Sequence, residues 1–354
     1  MSARTRTITT NGMLVVAALL AAGLLLEVGT RIYAAWVFPR MMVLDDTLGW
    51  RHATDVRKWF QNEFGDSVLV VQDANGHRGT GHALTKPPGA FRILTLGDSF
   101  TEGVQVGETD LFTARIENAD ARLDVINAGV GGYGTVQEYL YLRSLGIRFH
   151  PDLVLLMAYE NDLIDNLLPY YPAIGPRPYA AVRAGNVELV QSTDHSAFRK
   201  FILPLPFATV LNRYSYLYVF VNSRVYQPLR ADRMTQLQRG DVKQFDAGTR
   251  YRAFFWLLDE MSDFLEGQEI PLVVALIPTR DEILNGYSDV HRVITDHCLI
   301  EQLNCVSLVE RFHAEASKGI PLLFKEDMHW TAEGHRVTAD EILEYLRSTG
   351  RIPG

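Results

Sequence analysis

Cysteine is close to absent. The 354 residues include two, Cys298 and Cys305, with no Cys-x-x-Cys pair and no histidine at zinc-ligand spacing from them, so no metal site is expected. Also missing is any basic cluster interleaved with aromatics, and the net charge is −8; nucleic acid is therefore not an expected partner. There is no low-complexity tract and no internal repeat. What remains is an ordinary globular composition, 47% hydrophobic and 21% charged. That length suits one large domain or two small ones and a substantial core.

The first strong feature is N-terminal. Arg4 and Arg6 precede the apolar run MLVVAALLAAGLLL (13–26), and EVGTRIYAAWVF carries that character on to Phe38. This is long enough for a membrane span. Glu27 and Arg31 interrupt it four residues apart, where a helix would let them pair, and Tyr33 and Trp36 suit an interfacial belt. A secretory signal would have its apolar core in the same place, but Glu27 and Val28 follow Leu26 where a small-x-small cleavage site would be needed. The expectation is an uncleaved anchor over 1–38. Positive charge on the short side keeps that end cytoplasmic and puts the rest outside the inner membrane. In that oxidising space the seven-residue spacing of Cys298 and Cys305 permits a disulfide, and equally a pair of buried thiols.

Residues 39–90 read as an irregular lead-in with one short strand, VLVVQ. From Arg92 continuous apolar runs alternate with helical stretches. RILTLG, LDVINAGV, PDLVLLMAY, PLVVALIP and CVSLV read as strands buried on both faces. TVQEYLYLRSLG and TRYRAFFWLLDEMSDFLEG read as helices. The expected fold is α/β, a parallel sheet between two helical layers over 91–354. Residues 163–245 are too long for a simple crossover and form an insertion, either a wall over a site or an embellishment packed on the anchor. Within it FATVLNRYSYLYVFVNSRVY looks like one aromatic helix.

Ligands bind beyond the carboxyl ends of such strands, and the chemistry-bearing residues fall there. RILTLG delivers Ser99 within GDSFTEG. NAGVGGYG follows the second strand. Its Gly129-x-Gly131-x-x-Gly134 formally matches a dinucleotide fingerprint. It is not the first strand of the unit, and no acid stands about 20 residues on at a strand end; such glycines can instead bring backbone N–H groups near a reacting oxygen. Asn161 ends the third strand in AYENDLIDN, where an ordinary turn would also suit it. His329 precedes a helix capped by Thr331, with Asp327 two residues earlier. Serine, histidine and carboxylate together suit nucleophile, base and orienting acid.

GDSFTEG, NAGVGG, END and DMHW, in this order, resemble the four blocks of the SGNH or GDSL hydrolases, and the resemblance runs from about residue 90 to the C-terminus. The lead-in resembles a bacterial branch in which one membrane helix carries an extracytoplasmic domain of this kind. The resemblance implies Ser99 as nucleophile and its N–H as one oxyanion donor, with Gly132 and Asn161 as the others. It implies His329 as base, Asp327 as the orienting acid, and no cofactor. Two departures stand out: Tyr159 replaces the usual glycine of the third block, and Glu326 occupies the usual aspartate position three before His329. His335, a frequent match in the following helix, reads as structural. The implied function is a periplasmic, membrane-anchored esterase acting on carboxylic esters, O-acetyl groups on envelope carbohydrate being the expected class. The alternatives are acyl transfer to sugar hydroxyls by the same triad, or a non-catalytic binding or assembly module.

Overall fold

The computed structural model describes residues 3–37, 39–172, 174–191 and 200–353; Phe38, the expected end of the anchor, and 192–199 of the expected insertion lie outside them. Five strands form the central sheet in the order β13-β12-β7-β5-β6: β5 (Phe91–Leu96), β6 (Leu123–Asn127), β7 (Leu153–Ala158), β12 (Leu272–Leu276) and β13 (Asn304–Ser307). All its pairings are parallel. These are the five apolar runs expected, and alternate side chains go to opposite faces. Leu94, Leu96, Val154, Leu156 and Val274 join one core with Leu142, Leu257 and Met261. Ile93, Leu153, Leu155 and Val273 join the other with Phe112, Phe312, Val337 and Ile342. The three-layer expectation holds.

The lead-in is more ordered than expected. β1 (Met42–Asp45) pairs with β2 (Gly49–His52), and β3 (Val56–Gln61) with β4 (Ser67–Gln72), each as an antiparallel hairpin. Both hairpins touch the domain rather than bridging loosely to it. Trp50 is fully buried against Tyr133 and Tyr171, and Phe64 at the β3–β4 turn packs on Phe324.

The N-terminal helix α1 spans Ala3–Val37. Asn11–Trp36 within it has mean hydropathy 2.2 and leaves Met13, Leu20, Leu25 and Trp36 exposed. It has the length and composition of a membrane span; a signal sequence shares both. Glu27 and Arg31 pair as the spacing suggests, at 2.8 Å, and also clamp the insertion. Glu27 accepts from Tyr216 N at 2.9 Å, Leu217 N at 3.0 Å and Ser215 Oγ at 2.7 Å. Arg31 donates to Tyr214 O at 2.6 Å. The expected aromatic helix is therefore two, Ala208–Tyr214 and Tyr216–Val221, broken at Ser215 where this clamp bites. Nearer the sheet, β10 (Tyr179–Arg183) and β11 (Asn186–Val190) pair as a hairpin, and β8 (Tyr170–Tyr171) pairs with β9 (Gly175–Pro176). Cys298 and Cys305 are joined by a disulfide between helix Asp289–Ile300 and β13.

Candidate active site

The turn after β5 is built by close contact. A Cβ on Gly97 would lie 2.1 Å from Thr101 Oγ1, so only glycine fits. Asp98 then caps the short helix Ser99–Glu102, accepting from Phe100 N at 2.9 Å, and Gly103 ends it at φ +61. Ser99 is thereby presented at the carboxyl edge of the sheet. The stretch after β6 approaches equally closely: a Cβ on Gly129 would lie 2.6 Å from Glu102 N.

The last block closes on Ser99 from the far end of the chain. Leu323 and Trp330 form an antiparallel bridge at the neck of a loop, and Trp330 is fully buried. Inside the loop Met328 adopts φ +73, a left-handed conformation that costs a non-glycine residue roughly 1–2 kcal/mol. That turn folds Asp327 back onto His329. Ser99 Oγ donates to His329 Nε2 at 2.8 Å, and His329 Nδ1 donates to Asp327 Oδ1 at 2.5 Å. Glu326 is exposed, its carboxylate 4.0 Å from Lys325 Nζ, and does not reach the imidazole. Residues outside the expected set hold this loop, Arg280 among them by donating to Phe324 O at 2.8 Å and Lys325 O at 2.7 Å. Glu63 accepts from the backbone N–H of Lys325, Glu326 and Asp327 at 3.0, 2.7 and 3.1 Å. Gln105 donates to Asp327 Oδ1 at 3.1 Å. Phe100 lies under the His329 ring at 4.9 Å.

The Gly131–Gly132 stretch is held from three sides, none foreseen. Trp50 Nε1 donates to Gly131 O at 3.2 Å. In a trans peptide the Gly132 N–H points opposite to that carbonyl, so the indole aims it. Glu102 Oε2 accepts from Gly131 N at 2.9 Å, and the buried Arg177 donates to Gly132 O at 2.9 Å and to Asp165 Oδ1 at 2.8 Å. Gly132 itself sits at φ +78. Glu102 in turn meets His52 Nε2 at 3.0 Å, while His52 Nδ1 donates to Gly76 O at 2.8 Å. Burial would raise the Glu102 carboxyl. The His52 charge and hydrogen bond, the Gly131 N–H and Arg78 outweigh it and hold the group below its ordinary value. This is a buried histidine–carboxylate pair.

Asn161, the expected third donor, is bonded within the protein. Its Nδ2 donates to Asp98 Oδ2 and to Asp165 Oδ2, both at 3.1 Å, so both amide hydrogens are engaged with carboxylates. Donation to an oxyanion requires one of these bonds to be shared or released. Beneath it lies an acidic cluster. Burial first, and neighbouring carboxylates second, push Glu138 and Asp162 well above their ordinary values. Burial also raises Asp98 to about 6, against the Phe100 N–H, the Asn161 amide and His329. The Tyr159 ring packs on Phe100 at 4.7 Å. His335 is buried, its Nδ1 accepting from Phe112 N at 3.3 Å. Burial first, and the charges of Arg115, Arg78 and His329 after it, press its pKa down to about 3, so it stays neutral as a structural residue. Elsewhere His82, Glu117 and Asp124 converge within 4.8 Å of one another. Asp124 already meets Arg92 at 2.6 Å, a fixed cation where a metal would compete.

Residues 93–342, more than half of the chain, match the family model described as GDSL-like Lipase/Acylhydrolase. The chain belongs to that family, whose activity is ester hydrolysis. Among solved structures it is similar to a lipolytic protein of the G-D-S-L family from Veillonella parvula, at 13% identity and TM-score 0.40 over 72% of this chain and 97% of that one. A variant of an acetyl xylan esterase from Geobacillus stearothermophilus is similar at 14% identity and TM-score 0.39, over 73% of this chain and 95% of that one. No curated protein sequence matches the chain.

Proposed function

We propose that this chain is a serine esterase, anchored in the bacterial inner membrane by α1, with its hydrolase domain on the periplasmic side. The observation that carries the reading is the hydrogen-bonded series Ser99 Oγ, His329 and Asp327 at 2.8 and 2.5 Å. Because Asp327 can only accept while ionised, Nδ1 carries the proton and Nε2 is left as the base. Ser99 Oγ attacks the ester carbonyl as His329 takes its proton. The imidazolium, stabilised by Asp327, then gives that proton to the departing alcohol. Water repeats the cycle on the acyl-enzyme. The developing oxyanion is met by the N–H groups of Ser99 and Gly132, with Asn161 Nδ2 as third donor once it loosens from Asp165. O-acetyl groups on envelope carbohydrate are the proposed substrates, in keeping with the expected topology and the family resemblance.

A fluorophosphonate probe and a small aryl acetate test the chemistry. The full chain is expected to label and to hydrolyse, and Ser99→Ala to do neither; an unlabelled wild type would leave a non-catalytic module. A reporter fused after Gly354 tests the topology. It is expected to be active only outside the cytoplasm, with residues 13–26 retained in the membrane fraction, whereas a soluble form beginning after Leu26 would mean a cleaved signal.

A further inference from the structure

Exposed apolar residues are unevenly spread over the domain. Between Leu205 and Leu229, a stretch of 25 residues, seven large apolar side chains are exposed, while all the other described residues from 39 onward leave eight. Such a concentration marks a contact surface. The helix Ala208–Tyr214 shows how it arises. Its inner face is used, since Ala208 and Leu211 pack with Phe201, Ile202 and Tyr218. Phe207, Val210 and Tyr214, three and four residues apart, share another face, and all three are exposed, Phe207 at 78%. Val210 and Tyr214 also border a groove whose wall includes Asp45 and Asp46, so this face meets charge at one edge.

What covers the face follows from where it is tied. The backbone around the Ser215 break is bonded to α1 and its exit. Glu27 holds the N–H groups of Tyr216 and Leu217, Arg31 holds the Tyr214 carbonyl, and Arg40 Nη2 donates to Ser215 O at 3.3 Å. The Tyr218 N–H is met by Ser215 Oγ at 3.0 Å. An interrupted helix at membrane depth needs such partners, because no water completes its hydrogen bonds there. Phe220 packs edge-on against Tyr33 at 6.5 Å, so the helix Tyr216–Val221 runs beside α1 from the level of Glu27 to that of Tyr33. Tyr33 and Trp36 are the residues of the expected interfacial belt. Glu27 precedes Tyr33 on the way out of the membrane by about 9 Å of helix. Seating Tyr33 among the headgroups therefore puts Tyr216 and Leu217 no higher than the headgroups. We propose that the helices Ala208–Tyr214 and Tyr216–Val221 are a second membrane contact, lying in the outer-leaflet interface beside α1 with Phe207, Val210 and Tyr214 turned to lipid. The occupant of the apolar face is the bilayer itself, engaged by apolar area rather than by headgroup charge, and Asp45 and Asp46 stay on its water side. The proposal rests on α1 being a membrane span, and not on Ser99 chemistry. The small core under these helices includes Tyr170, and the next residue, Tyr171, packs on Trp50. Seating the insertion thus fixes how the Ser99 edge faces the membrane.

The test is spin-label accessibility in the full chain, reconstituted in phosphatidylcholine vesicles. Both native cysteines are in the disulfide, so a nitroxide reports only an introduced thiol. Phe207→Cys is compared with Leu284→Cys, whose side chain is 63% exposed on the helix Arg280–Asn285, and with Leu20→Cys within α1. The readout is the ratio of collisions with oxygen, which concentrates in lipid, to collisions with a water-soluble nickel chelate. The ratio at 207 is expected to exceed that at 284 by at least about threefold and to lie below that at 20, as an interfacial seat requires. Equal ratios at 207 and 284, with 20 in lipid, would overturn the proposal and leave the span standing. Shielding of 207 from both reagents would mean a protein partner on that face and would overturn it too. If 20 is as water-accessible as 284, the span falls and this contact with it, while the fluorophosphonate probe still decides the esterase reading.

Discussion

Two histidine–carboxylate pairs touch the turn that carries Ser99, and they differ in one respect. His329 and Asp327 are solvent-accessible, with side chains 25% and 39% exposed, and their outer nitrogen faces Ser99. His52 and Glu102 are sealed at 1% and 6%, and both His52 ring nitrogens are taken by protein atoms. The same two functional groups thus serve opposite ends. The open pair has one nitrogen free to exchange a proton with a reacting group. The closed pair has none, and its carboxylate instead fixes the Gly131 N–H. Proton traffic needs an imidazole with an unspent nitrogen, whereas positioning needs one with both spent.

An acid-to-amide change in each pair breaks or sharpens this contrast most directly. Asp327→Asn is expected to lower turnover of a small aryl acetate by roughly 10²–10⁴, because the amide no longer favours the working tautomer or the imidazolium. Glu326→Gln is expected to cost less than about tenfold. Glu102→Gln is expected to cost less than about tenfold as well: the amide oxygen still accepts from Gly131, and its NH₂ can donate to a neutral His52. Equal damage from Asp327→Asn and Glu102→Gln would erase the distinction between the pairs.

Removing the imidazole reverses which pair matters. His52→Ala leaves Glu102 buried with only the Gly131 N–H and the more distant Arg78 charge to hold it, and the loss is expected at about 3 kcal/mol of stability. The double variant His52→Ala/Glu102→Gln is expected to recover most of it in thermal unfolding, since no charge is then stranded. No recovery would mean that His52 contributes by packing alone. His329→Ala is expected to leave the unfolding midpoint nearly unchanged while abolishing turnover.

The open pair was legible in the sequence and the closed pair was not, for a physical reason. Asp327 and His329 stand two apart in one loop, and the resemblance of that loop to the family's last block singles them out. His52 and Glu102 are 50 residues apart, Trp50 and Gly131 81, and Glu63 and Glu326 263. Such partners are brought together only by tertiary packing. The five core strands were legible because burial on both faces writes a continuous apolar run. The β3–β4 hairpin was not, although VRKWFQ and SVLVVQ flank a turn-forming Asn-Glu-Phe-Gly-Asp: β3 is only half-buried and carries charge on its open face. The break at Ser215 was hidden for the same reason as His52, since its cause is Glu27, 188 residues away.

Asn161 lies between the two modes, donor-like in type but bonded to carboxylates on both hydrogens. Asn161→Ala is expected to lower turnover by about 10²–10³ with little change in KM if the amide swings from Asp165 to the oxyanion. Asp165→Asn then becomes the sharper probe. It frees the amide from a carboxylate and is expected to hurt far less than Asn161→Ala. If both variants turn over normally, Asn161 is a structural turn residue and the oxyanion is met by backbone alone.

The last effect is on stability and belongs to Asp98, which meets Asn161 and the charges of the Asp162 and Glu138 cluster. Its carboxyl is raised by burial from the ordinary 3.8 to about 6 in the folded chain. The unfolded chain therefore ionises first as pH rises. A raised acid contributes its stability fully below the unfolded value, and loses it as pH climbs through the folded one. Two pKa units correspond to about 3 kcal/mol, an upper figure because neighbouring carboxylates titrate with it. Asp98→Asn removes that titration while its amide oxygen can still cap Phe100 N. Relative to the wild type, the variant is expected to gain stability between pH 4 and pH 7, up to about that amount. Comparing unfolding midpoints of the two chains at both pH values checks it, since groups remote from Asp98 titrate alike in each. A gap that stays constant with pH would place Asp98 in the folded protein as an ordinary ionised cap, and would make its bond to Asn161 a permanent restraint on the third donor.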